Sequence, residues 1–124
     1  MFDEKELHCI INELEHTASD KHDEARLRTI VNRIYYSVFL QARNHAGKKD
    51  KTLVTNNGKS IHKETIKFYQ KKSLINIANG LSFLRKFRNH ADYDQNKDYN
   101  YFKKYEKKIK RYYQKLRIDL DKLK

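Results

Sequence analysis

Between Leu84 and Asp94 the chain reads LRKFRNHADYD. Two arginines, an amide, a histidine, two carboxylates and a phenol fall within this stretch, at the end of an apolar helical run where polar side chains can converge. Arg85 and Arg88 are three apart, so on a helix they share a face. Guanidinium forks match the geometry of phosphate, and an imidazole exchanges protons near neutral pH. Arg85 and His90, with four residues between them, therefore have the chemistry for metal-independent RNA cleavage. The arginine would hold the scissile phosphate or its developing charge, and the histidine would move the proton. The nucleophile is RNA's own 2′-hydroxyl, which DNA lacks. The same spacing also has a structural reading, in which Arg85 and Arg88 pair with Asp92, Asp94 or helix-end carbonyls.

Helices must position these groups. With no proline and three glycines in 124 residues, tight-turned strands are disfavoured. Apolar residues recur at helical spacing in five segments. The first spans about 3–17, with Leu7, Ile10, Ile11 and Leu14 as its stripe and Cys9 in or near the core. The second, about 22–46, carries Leu27, Ile30, Val31, Ile34, Tyr35, Val38 and Ala42, widened by Tyr36, Phe39 and Leu40. That breadth predicts a central helix, stopped at Gly47. Residues 47–58 read as a surface loop. Ser60 is placed to cap a third helix, about 60–72, and Ser73 a fourth, about 73–91, followed by a turn from Asp92 to Asp98. Gly80 inside the fourth helix implies close approach of a neighbour. The fifth helix, about 98–123, has a heptad-like seam of Phe102, Tyr105, Ile109, Tyr112, Leu116 and Leu123. The expected architecture is all-α: one domain, residues 1–124, folded as an antiparallel four- to five-helix bundle. An apolar fraction of 38% and a mean hydropathy of −1.03 suit a small bundle, or one that completes its core by dimerising.

Charge is unevenly placed. Residues 1–24 hold eight acids against Lys5 and Lys21, a balance of −6, so a net +12 leaves +18 on the remaining hundred residues. Ten Lys/Arg lie between 99 and 124 against three acids. A basic body points to a polyanionic partner, most simply RNA or DNA, or to a solvated lysine-rich surface. Lys86, Lys104, Lys108 and Arg111 are the candidate RNA contacts, and the tyrosines among the fifth-helix cations offer rings on which bases stack. A single cysteine, Cys9, excludes a disulfide framework or a thiolate zinc site within one chain. His8, His16, His22, His45 and His62 show no metal-ligand spacing, so neither metal nor cofactor is expected. No apolar run approaches the roughly 20 residues of a membrane span. The N-terminus is acidic, unlike a signal peptide, and the chain reads as cytoplasmic.

Two stretches resemble the HEPN superfamily, small helical domains of prokaryotic toxin–antitoxin and defence systems. Arg33 to Arg43, RIYYSVFLQAR, is similar to the "R-x-YY-x-x-F-x-x-A-R" helix of HEPN proteins found beside minimal nucleotidyltransferases. Leu84 to Asp94 resembles the "LR-x-x-RN-x-ADYD" stretch of the same subgroup. The resemblance runs from about Leu7 to about Leu116 in helix order and length. It implies a dimer whose motif helices meet at one composite cleft. It also implies an endoribonuclease that leaves 2′,3′-cyclic phosphate ends, acting as a toxin or antiviral effector, with a nucleotidyltransferase antitoxin as partner.

The superfamily's signature is an arginine, usually followed by a polar residue, then a histidine after four to six intervening residues. Arg85 and His90 have that gap, but Lys86 follows the arginine. Arg88-Asn89 matches the usual start, but Tyr93 stands where the histidine would. For an active nuclease the resemblance implies that Arg85 and Arg88 hold phosphate, His90 is the general acid or base, and Asn89 and Asp92 orient them; Arg88-Asn89 and His90 belong to competing framings, and the chemistry depends on which one the folded dimer uses. In the family this helix backs the motif helix, so the resemblance implies that Tyr35 or Tyr36 on the Arg33–Arg43 helix hydrogen-bonds the arginines. Some family toxins carry a tyrosine two residues after the histidine that the partner modifies with AMP; Tyr93 is three after His90. The resemblance also admits a non-catalytic module that binds a nucleotidyltransferase or RNA and regulates it.

Overall fold

The structure is a computed structural model and describes residues 5–16, 23–51, 53 and 61–123. These residues contain five helices and no strand: α1 (Lys5–His16), α2 (Asp23–Lys49), α3 (Ile61–Lys71), α4 (Ile75–Tyr93) and α5 (Tyr99–Asp121). The central helix is α2, which packs against each of the other four; α4 also packs against α3 and α5. Its apolar stripe is wide enough to serve all of them. Tyr35, Val38, Ala42 and Ala46 are fully buried, with Ile30, Val31, Ile34 and Phe39 close behind. From the other helices, Tyr69, Leu81 and Phe102 complete the core without exposed surface.

Several local expectations are corrected. Gly47 does not stop α2, which continues to Lys49, with Asp50 N–H donating to the Ala46 carbonyl at 2.8 Å. Ala46 and Gly47 are both buried, and that packing outweighs the glycine cost of about 1 kcal/mol in a helix. Leu53 in the expected loop is buried too. The expected Ser60 cap lies outside the described residues, as do 52 and 54–58 of the loop. In α1 the buried residues are Leu7 and Ile11, while Ile10 is 41% exposed and Cys9 is exposed rather than core. Because α1 packs chiefly on α2, only a narrow stripe is covered.

Ser73 does not cap α4; it closes α3. Its φ of 61° is left-handed, its N–H bonds the Gln70 carbonyl at 3.1 Å, and Leu74 N–H bonds the Tyr69 carbonyl at 2.8 Å. That pair of bonds is a Schellman stop with serine where glycine is usual. Within α4, a Cβ on Gly80 would lie 3.3 Å from a Leu116 methyl, so the glycine admits α5 closely.

At its other end α4 runs on to Tyr93, so Asp92 and Tyr93 are helical and the turn begins at Asp94. One side chain gathers the carbonyls released there. Arg28 of α2 donates to His90 O at 3.1 Å, Ala91 O at 2.9 Å and Asp94 O at 3.2 Å, and also to Lys97 O. Its guanidinium lies 4.7 Å from the Phe102 ring centroid, and Glu24 pairs with it at 3.3 Å. Asp98 then caps α5 by accepting from Tyr101 N–H at 3.0 Å. The C-terminal turns of α4, which carry the motif, are thus fixed from α2.

Candidate functional site

On α2, Asn32, Tyr36, Phe39 and Arg43 rise along one face at three- and four-residue steps. Opposite them, α4 presents Arg85, Arg88, Asn89 and Asp92. The two rows interlock. Arg88 is 7% exposed; it donates to the Tyr36 hydroxyl at 2.6 Å and to Asn89 Oδ1 at 2.8 Å, and its Nε lies 3.7 Å from Asp92 Oδ2. Asn32 Nδ2 donates to both oxygens of Asp92, at 3.1 and 2.9 Å. Arg88 also stacks its charge over the rings of Tyr36 and Tyr35, at 5.0 and 5.5 Å. Its role in this arrangement is to bolt α4 to α2.

Arg85 differs. It is half-buried where Arg88 is buried, and its Nε, like that of Arg88, is buried with no hydrogen-bond partner among the described residues. Beside it stands a group that the sequence reading passed over. His62, in the first turn of α3, places Nδ1 2.6 Å from the Tyr35 hydroxyl and stacks its ring on Phe39 with centroids 4.2 Å apart. Burial, then repulsion from Arg85, Arg88 and Arg43, pulls the His62 imidazole down to about 4, so it is neutral at pH 7. Burial holds the Tyr35 phenol well above its ordinary value, against the opposing pull of Arg85 and Arg88. The field of three guanidinium groups thus acts on a neutral imidazole, and the acid among the residues named, Asp92, is committed to Asn32 and Arg88.

His90 stands elsewhere. At about 100° per residue, five positions carry it about 140° around α4 from Arg85. It faces α5, with Nδ1 2.7 Å from the Tyr101 hydroxyl and its ring edge-on to Phe87 at 5.9 Å. Burial and then Lys97 lower its pKa from the ordinary histidine value; Asp94 opposes and Lys86 adds to them. Three of the four expected RNA contacts, Lys104, Lys108 and Arg111, share this flank. Lys104 lies over Tyr105 and Lys108 over Phe83, each at 5.4 Å, and Phe83 stacks on Tyr112 at 3.9 Å. Lys108, Arg111, Tyr112 and Lys115 line an open hollow of about 320 Å³. Between the flanks, the crest of α4 carries exposed Lys86 and Tyr93; Tyr93 is 75% exposed, its ring 5.9 Å from the Arg88 guanidinium.

Within one chain, then, the candidate residues divide. Arg85, Arg88, Asn89, Asp92 and Tyr36 come together, whereas His90, Lys104, Lys108 and Arg111 lie across the helix. The sequence reading omitted Asn32 and His62. A signal existed for the first, since Asn32, Tyr36 and Arg43 fall on one line of α2 at three- and four-residue steps around Phe39. Nothing in local spacing links His62 to α4. Among the described residues no group of three or more His, Cys, Asp or Glu is placed to hold a metal ion, and no helix is long and apolar enough to cross a membrane. No family model, curated protein or solved structure matches this chain.

Proposed function

We propose that this chain is a HEPN-like module that binds RNA through a backbone phosphate at Arg85, with Arg88 and Asn89 fixed behind it. The observation that carries this reading is the half-buried Arg85, whose buried Nε has no acceptor among the described residues, beside an Arg88 whose Nε is likewise unbonded but whose terminal nitrogens are spent on Tyr36 and Asn89. Leaving such a donor without an acceptor is costly, and an anionic oxygen satisfies both its hydrogen bond and the local charge. The basic α5 flank extends the contact along the strand. The resemblance of Arg33–Arg43 and Leu84–Asp94 supplies the family and the preference for RNA. With it come a toxin or defence role, a homodimer and a nucleotidyltransferase partner.

Binding of a single-stranded RNA, followed by fluorescence anisotropy, tests the reading. Arg85→Ala should weaken binding at least tenfold without lowering the melting temperature. Unchanged affinity in that variant removes Arg85 as the phosphate ligand. Incubation of RNA with the protein in EDTA then separates two forms of the module. A metal-independent endoribonuclease cuts RNA and spares a 2′-deoxy copy; a regulatory module binds a nucleotidyltransferase partner or RNA and cuts neither strand. If His90 does the acid–base work, cleavage requires a second copy of the chain to bring that imidazole over the arginines, because within one protomer it faces α5.

A further inference from the structure

The geometry points to His62 as the catalytic base of the arginine cluster, taking the 2′-hydroxyl proton of an RNA strand whose phosphate is held at Arg85. The inference rests on RNA occupying that cluster. Three features of the site carry it.

The first is orientation. Tyr35 engages Nδ1 at 2.6 Å and Phe39 stacks on the ring, so the imidazole is fixed in plane and in rotation. We take the tautomer in which Nδ1–H is donated to the Tyr35 oxygen; Nε2 then carries the lone pair, and any proton exchanged with a ligand passes through it. The second is placement. His62 arrives from α3 and Arg85 from α4, and they meet across the Tyr35–Tyr36 pair of α2: the His62 ring bonds the Tyr35 hydroxyl and lies 6.3 Å from the Tyr36 ring, and Tyr36 accepts from Arg88, one turn on from Arg85. The Arg88–Tyr36 and Asn32–Asp92 bonds hold α4 and α2 in register. The third is protonation state. The charged groups that act on the ring are Arg43 from α2 and Arg85 and Arg88 from α4, all cationic, and with burial they keep it unprotonated at pH 7. A bound phosphate offsets that repulsion, so the ring becomes more basic only once substrate is in place.

The step balances without a metal. Nε2 of His62 takes the proton of the 2′-hydroxyl as O2′ forms a bond to the adjacent phosphorus. The bond from phosphorus to O5′ breaks, and its electron pair leaves with O5′, which takes a proton from water. The hydroxide so formed removes the proton from His62. The products are a 2′,3′-cyclic phosphate and a 5′-hydroxyl.

The test uses the full chain in EDTA with a single-stranded RNA and with the same strand carrying 2′-deoxyribose. His62→Gln and His62→Ala should each bind RNA within about threefold of wild type and cut it at least about 100-fold more slowly, the usual scale of general-base catalysis. Added imidazole should restore cleavage by His62→Ala, which a purely structural role for the ring would not allow. Circular dichroism checks folding, and His62→Gln serves if the alanine variant unfolds. Cleavage at wild-type rate in folded His62→Gln overturns the assignment. So does loss of cleavage in His90→Ala but not in His62→Gln, or a wild-type protein that binds RNA and never cuts it. Unchanged RNA affinity in Arg85→Ala is a separate result and fails the phosphate-site reading instead.

Discussion

Arg88 donates to the hydroxyl of Tyr36 at 2.6 Å, and this bond joins the motif helix to the central helix at the candidate site. The neighbouring Arg85 makes no equivalent bond through its buried Nε. Both arginines leave a buried Nε without a hydrogen bond among the described residues, but Arg88 is anchored through its terminal nitrogens to Tyr36 and Asn89. Tyr36→Phe removes a charge-assisted bond and should cost about 1.5–3 kcal/mol. Arg85→Ala removes an unsatisfied donor and should change stability by less than about 1 kcal/mol while costing RNA affinity. Urea unfolding of both variants checks the contrast; equal destabilisation would mean that Arg85 is structural after all.

Arg28 gathers four backbone carbonyls at the end of α4 and in the following turn. Helix ends leave such carbonyls without partners, and here one guanidinium fork serves them. Arg28→Ala should destabilise the fold by about 2–4 kcal/mol. Arg28→Lys should recover less than half of that, because an ammonium lacks the planar fork. Denaturant midpoints of the three proteins decide it, and full rescue by lysine would show that charge alone is at work.

The helices were legible because apolar spacing registers burial directly: the α2 stripe read from Leu27 to Ala42 is buried along its length. What spacing could not show were the contacts that cross between helices. Arg28 reads as one more basic residue near an acidic segment, yet its partners lie more than sixty positions away. His62 likewise has nothing nearby to mark it. Proximity along α4 also misled in one respect. Arg85 and His90 look like a pair on paper, but the helical twist turns them to different flanks. Caps were the other weak point, because serine favours several kinds of chain end. Ser73 carries a left-handed φ that no sequence rule assigns to it.

That φ of 61° at Ser73 has a direct consequence. A residue with a Cβ pays about 1–2 kcal/mol to enter the left-handed region, and glycine does not. Part of the gain is returned as extra freedom of the unfolded chain. Ser73→Gly should therefore stabilise the protein by about 0.5–1 kcal/mol, seen as a higher melting temperature. A lower melting temperature would mean that the serine hydroxyl contributes to the stop between α3 and α4.

His62 also sets a pH dependence. Its folded-state pKa is about 4, below the ordinary 6.5 of an unfolded chain. Between those values the unfolded state binds more protons, so stability falls as pH drops from about 6.5 to about 4 and the loss levels off below that. Above 6.5 both states are neutral at this position and the contribution is whole. His45 and His90 are shifted in the same direction and add to the slope. Unfolding measured at pH 7, 5.5 and 4.5 should show a smaller acid loss in His62→Gln than in wild type. Parallel curves would mean that the ring titrates normally.

The basic α5 flank makes its own prediction. Lys104, Lys108 and Arg111 are exposed and lie beside aromatic rings, an arrangement suited to phosphates and stacked bases. Contacts of that kind release counterions, and each single-strand phosphate contributes about 0.7 to the slope of log K against log salt. Replacing all three by alanine should lower that slope by about 2 and weaken binding alike for RNAs of different sequence. Arg85→Ala should lower it by less than 1 while still losing affinity, because one phosphate is involved. Tyr112→Ala should leave the slope unchanged and weaken binding through lost stacking, by about 1–3 kcal/mol per base. Anisotropy titrations across a salt series separate these effects. A slope untouched by the triple variant would place the RNA on the arginine cluster alone and leave the α5 lysines as a solvated surface.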